Sequence, residues 1–136
     1  AMEVDLVTGY LYIAMNSTNE NSGIYKVDAE PADPVDDSIT LFSKVAMSST
    51  TNEDIAPVFT GLSIYYAGDE GGYLIASHPS DASIAIFNRN GDNDYLDSVQ
   101  IVGSDESNTT LISSQISVIN ANVGPGYSCG VVVVQA

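Results

Sequence analysis

The sequence predicts an all-β protein built of antiparallel sheets, and three observations carry that reading. Apolar residues recur with a period of two, and β-branched and aromatic residues crowd those runs. No window of helical length places apolar residues at i, i+3, i+4 and i+7 between capping residues. The runs are Tyr10–Ala14, Ile24–Val27, Leu62–Tyr66, Tyr73–Ala76, Ile84–Phe87, Ser98–Ile101 and Gly130–Gln135.

Turn chemistry joins these runs. Gly68-Asp69-Glu70-Gly71-Gly72 links two of them tightly, and Asn90-Gly91 is a dipeptide that accepts positive φ at both central hairpin positions. Ala29–Asp37 holds two prolines and four acids and reads as a surface loop, as do residues 48–54 and 103–110.

A chain of 136 residues suits one domain with a real core. Eighteen acids against three basic residues give a net charge of −15, which excludes nucleic acid and anionic membranes as expected partners, because both need clustered Lys and Arg. With 44% hydrophobic and only 15% charged residues, the composition is not that of a disordered chain. The single Cys129 excludes an internal disulfide, and no apolar run approaches the length that spans a bilayer.

No basic segment followed by an apolar one opens the chain, so a signal peptide is expected to be absent or already removed. Asn16-Ser17-Thr18 and Asn108-Thr109-Thr110 fit the N-glycosylation pattern, a weak signal in a chain rich in Ser, Thr and Asn. An extracellular, secreted location is the expectation.

Aligning the strands by their glycines reveals a repeat. "GYLYIA" at 9–14 resembles "GYLIAS" at 72–77, and each is followed by a further strand, "GIYKVD" at 23–28 and "SIAIFN" at 83–88. The spacing, about 60 residues, lies in the range of propeller blades and solenoid repeats. Two to three such units fall short of a closed propeller ring. The expected organisation is one domain, 1–136, with units at 1–60 and 61–115 and the start of a further unit at 116–136.

"IYKVDAEP" at 24–31, "GLSIYYAGDEGGYLIAS" at 61–77, "AIFNRNGDNDY" at 85–95 and "VGPGYSCGVVVVQ" at 123–135 resemble, in that order, motifs in the second half of the β-propeller phytases. The resemblance implies four-stranded antiparallel blades forming part of a ring. It also implies calcium-dependent phosphomonoester hydrolysis of inositol hexakisphosphate. Calcium takes about six to eight oxygen ligands, several of them anionic, and bridges an acidic protein to an anionic substrate. With Lys26, Lys44 and Arg89 as the only Lys and Arg, a polyphosphate would approach this chain only through bound cations.

The resemblance assigns a metal-binding carboxylate to Glu30, and the neighbouring Asp28 and Asp33, with Asp36 and Asp37 beyond them, are candidate supporting acids for a cation. It also exposes departures. Where relatives carry Asp-x-Glu-Gly-Leu, this chain reads Val58-Phe59-Thr60-Gly61-Leu62. Where they carry Thr-Asp-Gly-Ile-Asp-Val, it reads Ser113-Ser114-Gln115-Ile116-Ser117-Val118. Neutral oxygens do not offset the desolvation of calcium as carboxylates do, so metal binding and catalysis are expected to be impaired.

Asn88-x-Asn90-x-Asp92 resembles the start of an EF-hand loop, but Asn93 stands where its glycine belongs and Val99 where its bidentate Glu belongs, which leaves a hairpin turn. Arg89 is expected in a surface ion pair with Asp92 or Asp94. His78 has no motif pairing it with a nucleophile, and Cys129 is expected to be a small core residue. Tyr10, Tyr12, Tyr25, Tyr65, Tyr66 and Tyr73 alternate with aliphatics, as cross-strand packing residues do. Two readings follow. One is a phytase-like module acting on phytate or another phosphorylated small molecule, with impaired catalysis. The other is a non-catalytic extracellular assembly module that associates with itself or with the remaining blades through open sheet edges.

Overall fold

Alternation of side chains turns each of these runs into a strand, and short turns keep strands that are adjacent in sequence adjacent in space. The computed structural model describes residues 1–16, 22–29, 43–44, 58–68, 71–79, 82–103 and 115–135. The first sheet comprises β1 (Met2–Val4), β2 (Tyr10–Met15), β3 (Gly23–Asp28) and β4 (Ser43–Lys44), in that order. The second comprises β5 (Gly61–Ala67), β6 (Gly71–His78), β7 (Ser83–Asn88) and β8 (Tyr95–Gln100), again in chain order. A hairpin of β9 (Gln115–Ile119) and β10 (Val131–Gln135) completes the described strands. All pairings are antiparallel. The protein is therefore all-β, with sheets of the four-stranded meander type that builds propeller blades, and the described strands close no ring.

β5 is buried on both faces. Its Leu62 and Ile64 meet Tyr12, Ala14 and Ile24 of the first sheet, in a core completed by Phe59, Leu74, Ala76, Ala85 and Phe87. Phe87 stands edge-on to both Phe59 (6.2 Å between centroids) and Tyr95 (5.8 Å), and side chains of this size each contribute about 1.5–3 kcal/mol on burial. On the opposite face of β5, Ser63 Oγ accepts a hydrogen bond from Val118 N (3.2 Å), and the Tyr65 hydroxyl donates to Cys129 O (2.9 Å). The hairpin thus packs on the second sheet as the second sheet packs on the first.

Several expectations need correction. β1, β4 and β9 were not anticipated: the first two are only three and two residues long, too short for a period to emerge. β8 starts at Tyr95 rather than Ser98, because a register shift between Ile86 and Phe87 brings Tyr95 opposite Phe87 and Asp97 opposite Ile86. Asn90-Gly91 does not form a two-residue turn. The connection runs from Arg89 to Asp94, and Gly91 (φ 63°) and Asn93 (φ 56°) take the left-handed conformation. Cys129 is exposed rather than buried, since it lies in the turn before β10. The expected loops at 30–37, 48–54 and 104–110 lie outside the described residues.

The tyrosines divide by role. Tyr65 and Tyr73 are register partners whose rings stack at 6.2 Å, the cross-strand packing expected of them. The Lys26 ammonium lies 4.2 Å from the centroid of the Tyr10 ring. Tyr12 is fully buried and serves a polar purpose as well.

That purpose belongs to Arg89, which is not on the surface and pairs with neither Asp92 nor Asp94. Its Nε and Nη2 donate to Asp5 Oδ2 (2.7 Å) and Oδ1 (2.9 Å), and both side chains have no exposed surface. Nη1 donates to Gly71 O at 2.9 Å, and the guanidinium lies 4.5 Å from the Tyr66 ring centroid. Asn93 Nδ2 holds the loop that presents Arg89 by donating to Asn88 O (2.9 Å), Arg89 O (2.9 Å) and the Tyr12 hydroxyl (3.1 Å). Asp5 is held in turn by the amides of Val7 (3.0 Å) and Thr8 (3.2 Å). Burial by itself would raise the Asp5 carboxyl, but the Arg89 guanidinium and these amides outweigh it and hold the group at about 2.

Asp5→Asn removes the carboxylate bidentate to the buried Arg89 guanidinium, and urea denaturation should register a loss of about 3–5 kcal/mol. The double variant Asp5→Asn/Arg89→Met should lose less than Asp5→Asn alone. The folded Asp5 titrates at about 2, below its ordinary 3.8, so its contribution is complete above pH 3.8 and is lost as pH falls through 2. Urea midpoints across that range should trace a decline on the order of 2 kcal/mol. Glu3 acts in the opposite sense, because burial raises its carboxyl against the lowering effect of a hydrogen bond from the Ile64 backbone. The decline should therefore persist in Glu3→Gln.

Candidate functional site

The Asp5–Arg89 pair occupies the end of the sheets where β5 turns into β6. At the other end, the residues that open β5 and β9 come together. Thr60 N donates to Ser77 O at 3.2 Å, and the Thr60 and Ser77 hydroxyls are 3.1 Å apart. Phe59 N donates to Asn16 Oδ1 at 3.1 Å, which ties this rim to the first sheet. Ser77 is fully buried, Thr60 is half-buried, and Gln115 and Ser117 on β9 are exposed.

Gly61 makes this convergence possible. A Cβ there would lie 2.8 Å from Ser77 Oγ, 2.9 Å from Ile116 N and 3.1 Å from Gln115 Cα. The absent side chain lets the backbone of β9 close against β5, bringing Thr60 and Gln115 to one rim.

The candidate residues named from the sequence do not gather here. Asp28 pairs with Tyr10 at the far end of β3, and Ala29 N donates to Gly9 O beside it. Thr60 lies at the opposite end, so six strand residues, about 20 Å at ~3.3 Å each, separate the two levels. Glu30, Asp33 and Asn108 lie outside the described residues, as do Asp36 and Asp37. Asn16 is exposed, and its side-chain oxygen is engaged by Phe59 N. His78 is buried, with its ring centroid 5.2 Å from that of Phe59.

Sequence reasoning passed over Glu3, a half-buried carboxylate on β1 that accepts from the backbone of β5. Its only signal was an acid within a three-residue strand. It also missed Asp5, because nothing local marks an acid in a turn as the partner of an arginine 84 residues away.

Among the described residues, no three of His, Cys, Asp and Glu cluster as a metal-holding group. The described donors at the rim are the hydroxyls of Thr60 and Ser77, with the Gln115 backbone beside Gly61. Such a set makes hydrogen bonds but supplies no anionic ligand to calcium and no general base. The described donors therefore do not fit a calcium centre at this end.

Blade-type sheets stacked in chain order, with an inner strand buried on both faces, define a propeller-type protein. The phytase family model matches residues 2–136, and the chain belongs to that family. It is 31% identical over 127 residues to a 3-phytase from Bacillus subtilis (strain 168), an alignment covering 93% of this chain and 30% of that protein. The chain thus spans about 30% of the length of this relative.

Gly61→Ala should destabilise the fold by about 1–3 kcal/mol in urea denaturation, the range for overpacking a tight contact. Adding Ser77→Ala should not restore stability, because the Ile116 and Gln115 backbone still blocks the new methyl group.

Proposed function

We propose that this chain is a phytase-like propeller module whose calcium-dependent phosphomonoesterase chemistry is impaired. The carrying observation is the rim of β5 and β9, where the Thr60 hydroxyl bonds to Ser77 and the Gln115 backbone lies against Gly61. Family membership favours a phosphorylated small molecule such as phytate as the ligand class. An acidic chain meets such a ligand only across bound cations, and these donors hold cations weakly. Glu30 is the remaining carboxylate to which the family resemblance assigns residual calcium affinity, and the neighbouring Asp28 and Asp33 are its candidate supporting acids.

A second reading is favoured by exposed apolar side chains on strands: Met2 is 69% exposed and Val133 51%. It makes the chain a non-catalytic assembly module that associates with copies of itself, in an extracellular setting. The two readings are compatible, since lost metal ligands do not affect sheet packing.

Incubated with phytate at millimolar calcium, the chain should release no phosphate above a blank in a colorimetric assay. Calcium-dependent turnover that disappears in Glu30→Ala would overturn the impairment and restore the enzyme reading.

A further inference from the structure

Hydrogen bonds engage every described asparagine side chain but one. Asn16 Oδ1 accepts from Phe59 N, Asn88 Oδ1 from Asn90 N and Asn122 Oδ1 from Gly124 N. Asn93 Nδ2 donates to three oxygens, and Asn120 Nδ2 donates to Tyr66 O. The Asn90 amide, half-buried in the loop between β7 and β8, bonds to no described residue.

Asn90 is also the one asparagine of the chain that precedes a glycine. Gly91 is exposed, and nothing lies within 4 Å of the place a Cβ would take. Its backbone N–H donates to no described acceptor. An unheld amide side chain is therefore followed by an unhindered, unengaged backbone nitrogen. After Asn88, Asn93, Asn120 and Asn122 the next residue is Arg89, Asp94, Ala121 or Val123, each with a side chain that crowds its nitrogen.

We propose that Asn90 is a site of spontaneous deamidation, with water as co-reactant. Gly91 N loses its proton and attacks Asn90 Cγ. The new N–Cγ bond forms as the Cγ–Nδ2 bond breaks, and Nδ2 leaves as ammonia with a proton. Water then opens the resulting succinimide, its oxygen going to a carbonyl carbon and a hydrogen to Gly91 N. Opening at Cγ places the new carboxylate there and leaves the main chain through it as isoaspartate's alternative, ordinary aspartate; opening at the main-chain carbonyl gives isoaspartate, in which the chain runs through the former side chain. Asn93 N donates to Asn90 O at 3.3 Å, and a hydrogen bond to that oxygen favours the amide anion, whose charge it shares.

Both products add a negative charge beside the Lys26 ammonium, which donates to Gly91 O at 3.0 Å. Aspartate leaves the backbone as it was, whereas isoaspartate lengthens it by a methylene between Arg89 and Gly91. The bonds from Asn88 N to Asp94 O (2.8 Å) and from Asn93 Nδ2 to Asn88 O and Arg89 O close around that segment. A longer backbone breaks their fit and loosens the presentation of Arg89 to Asp5. The site is independent of both readings above, since it involves neither calcium nor a partner.

Peptide mass spectrometry of the full chain, aged in warm and mildly alkaline buffer, tests the site. The Asn90 peptide should gain about 1 Da, an NH2 exchanged for an OH, with part of the product as isoaspartate. Asn88, Asn93, Asn120 and Asn122 should stay intact over the same period. The urea midpoint of the aged chain should fall in proportion to its isoaspartate content. Asn90→Asp should keep the midpoint of fresh wild type, which separates added charge from added length. Asn90→Gln, whose longer side chain must close a larger ring, should keep both its mass and its midpoint on ageing. An aged, folded chain with Asn90 intact, or one in which Asn88 or Asn93 reacts as fast, would overturn the site. Conversion without isoaspartate would overturn the succinimide route. Isoaspartate with an unchanged midpoint, or a midpoint equally lowered in Asn90→Asp, would overturn its effect on the Arg89 loop.

Discussion

A carboxylate and a guanidinium, each with no exposed side-chain surface, hold the turn after β1 to the turn after β7. An apolar interface between two sheets tolerates small sliding movements at little cost, but a bidentate ion pair does not. Arg89 also spends a donor on Gly71 O and lies against the Tyr66 ring, while Asn93 and the Tyr12 hydroxyl fix the loop that carries it. Charges taken out of water recover their desolvation only with such geometry and partners, so the pair fixes the relation of the sheets more than it adds net stability. The hairpin docks separately, on the opposite face of β5, through Ser63, Tyr65 and the close approach at Gly61.

The two ends of the stack have different chemistry. At the end near Asp5, the Asp5–Arg89 pair is satisfied internally and structural, while Asp28 beside it is exposed. The opposite end, at Thr60 and Gln115, holds neutral hydroxyls and an amide where Gly61 lets two inner strands approach. A phosphoester hydrolase that works through calcium needs clustered anionic oxygens, and the described donors at this rim are neutral. The framework depends on apolar alternation, glycines and one buried ion pair, none of which involves metal ligands.

Much of the framework was legible beforehand. Long alternating runs such as Leu62–Tyr66 and Tyr73–Ala76 announce strands because a pleat sends successive side chains to opposite faces. The resemblance between "GYLYIA" and "GYLIAS" disclosed the repeat, and ordered motifs disclosed the family. β1 and β4 were not legible, since a strand of two or three residues is stabilised by its neighbour rather than by its own pattern. The start of β8 was concealed by the irregularity opposite Ile86 and Phe87. Arg89 was misplaced because nearby acids in sequence are the natural first guess for its partner, and burial reversed that choice. At the candidate site, the substitution of a hydroxyl at Thr60 could be read directly, but its neighbours Ser77 and Gln115 could not.

By itself, the sequence determined the all-β class, the strand alternation, the acidic character and the family, because these depend on side-chain type and on local or repeated spacing. Only the tertiary structure decided that Asp5 is the partner of Arg89, that Asp28 and Thr60 lie at opposite ends of the sheets, and that Gly61 is where β9 meets β5. These are relations between residues dozens of positions apart, set by the order in which sheets stack and by which face each turns inward. Local pattern carries no record of them, since it specifies that a face is apolar without specifying what covers it.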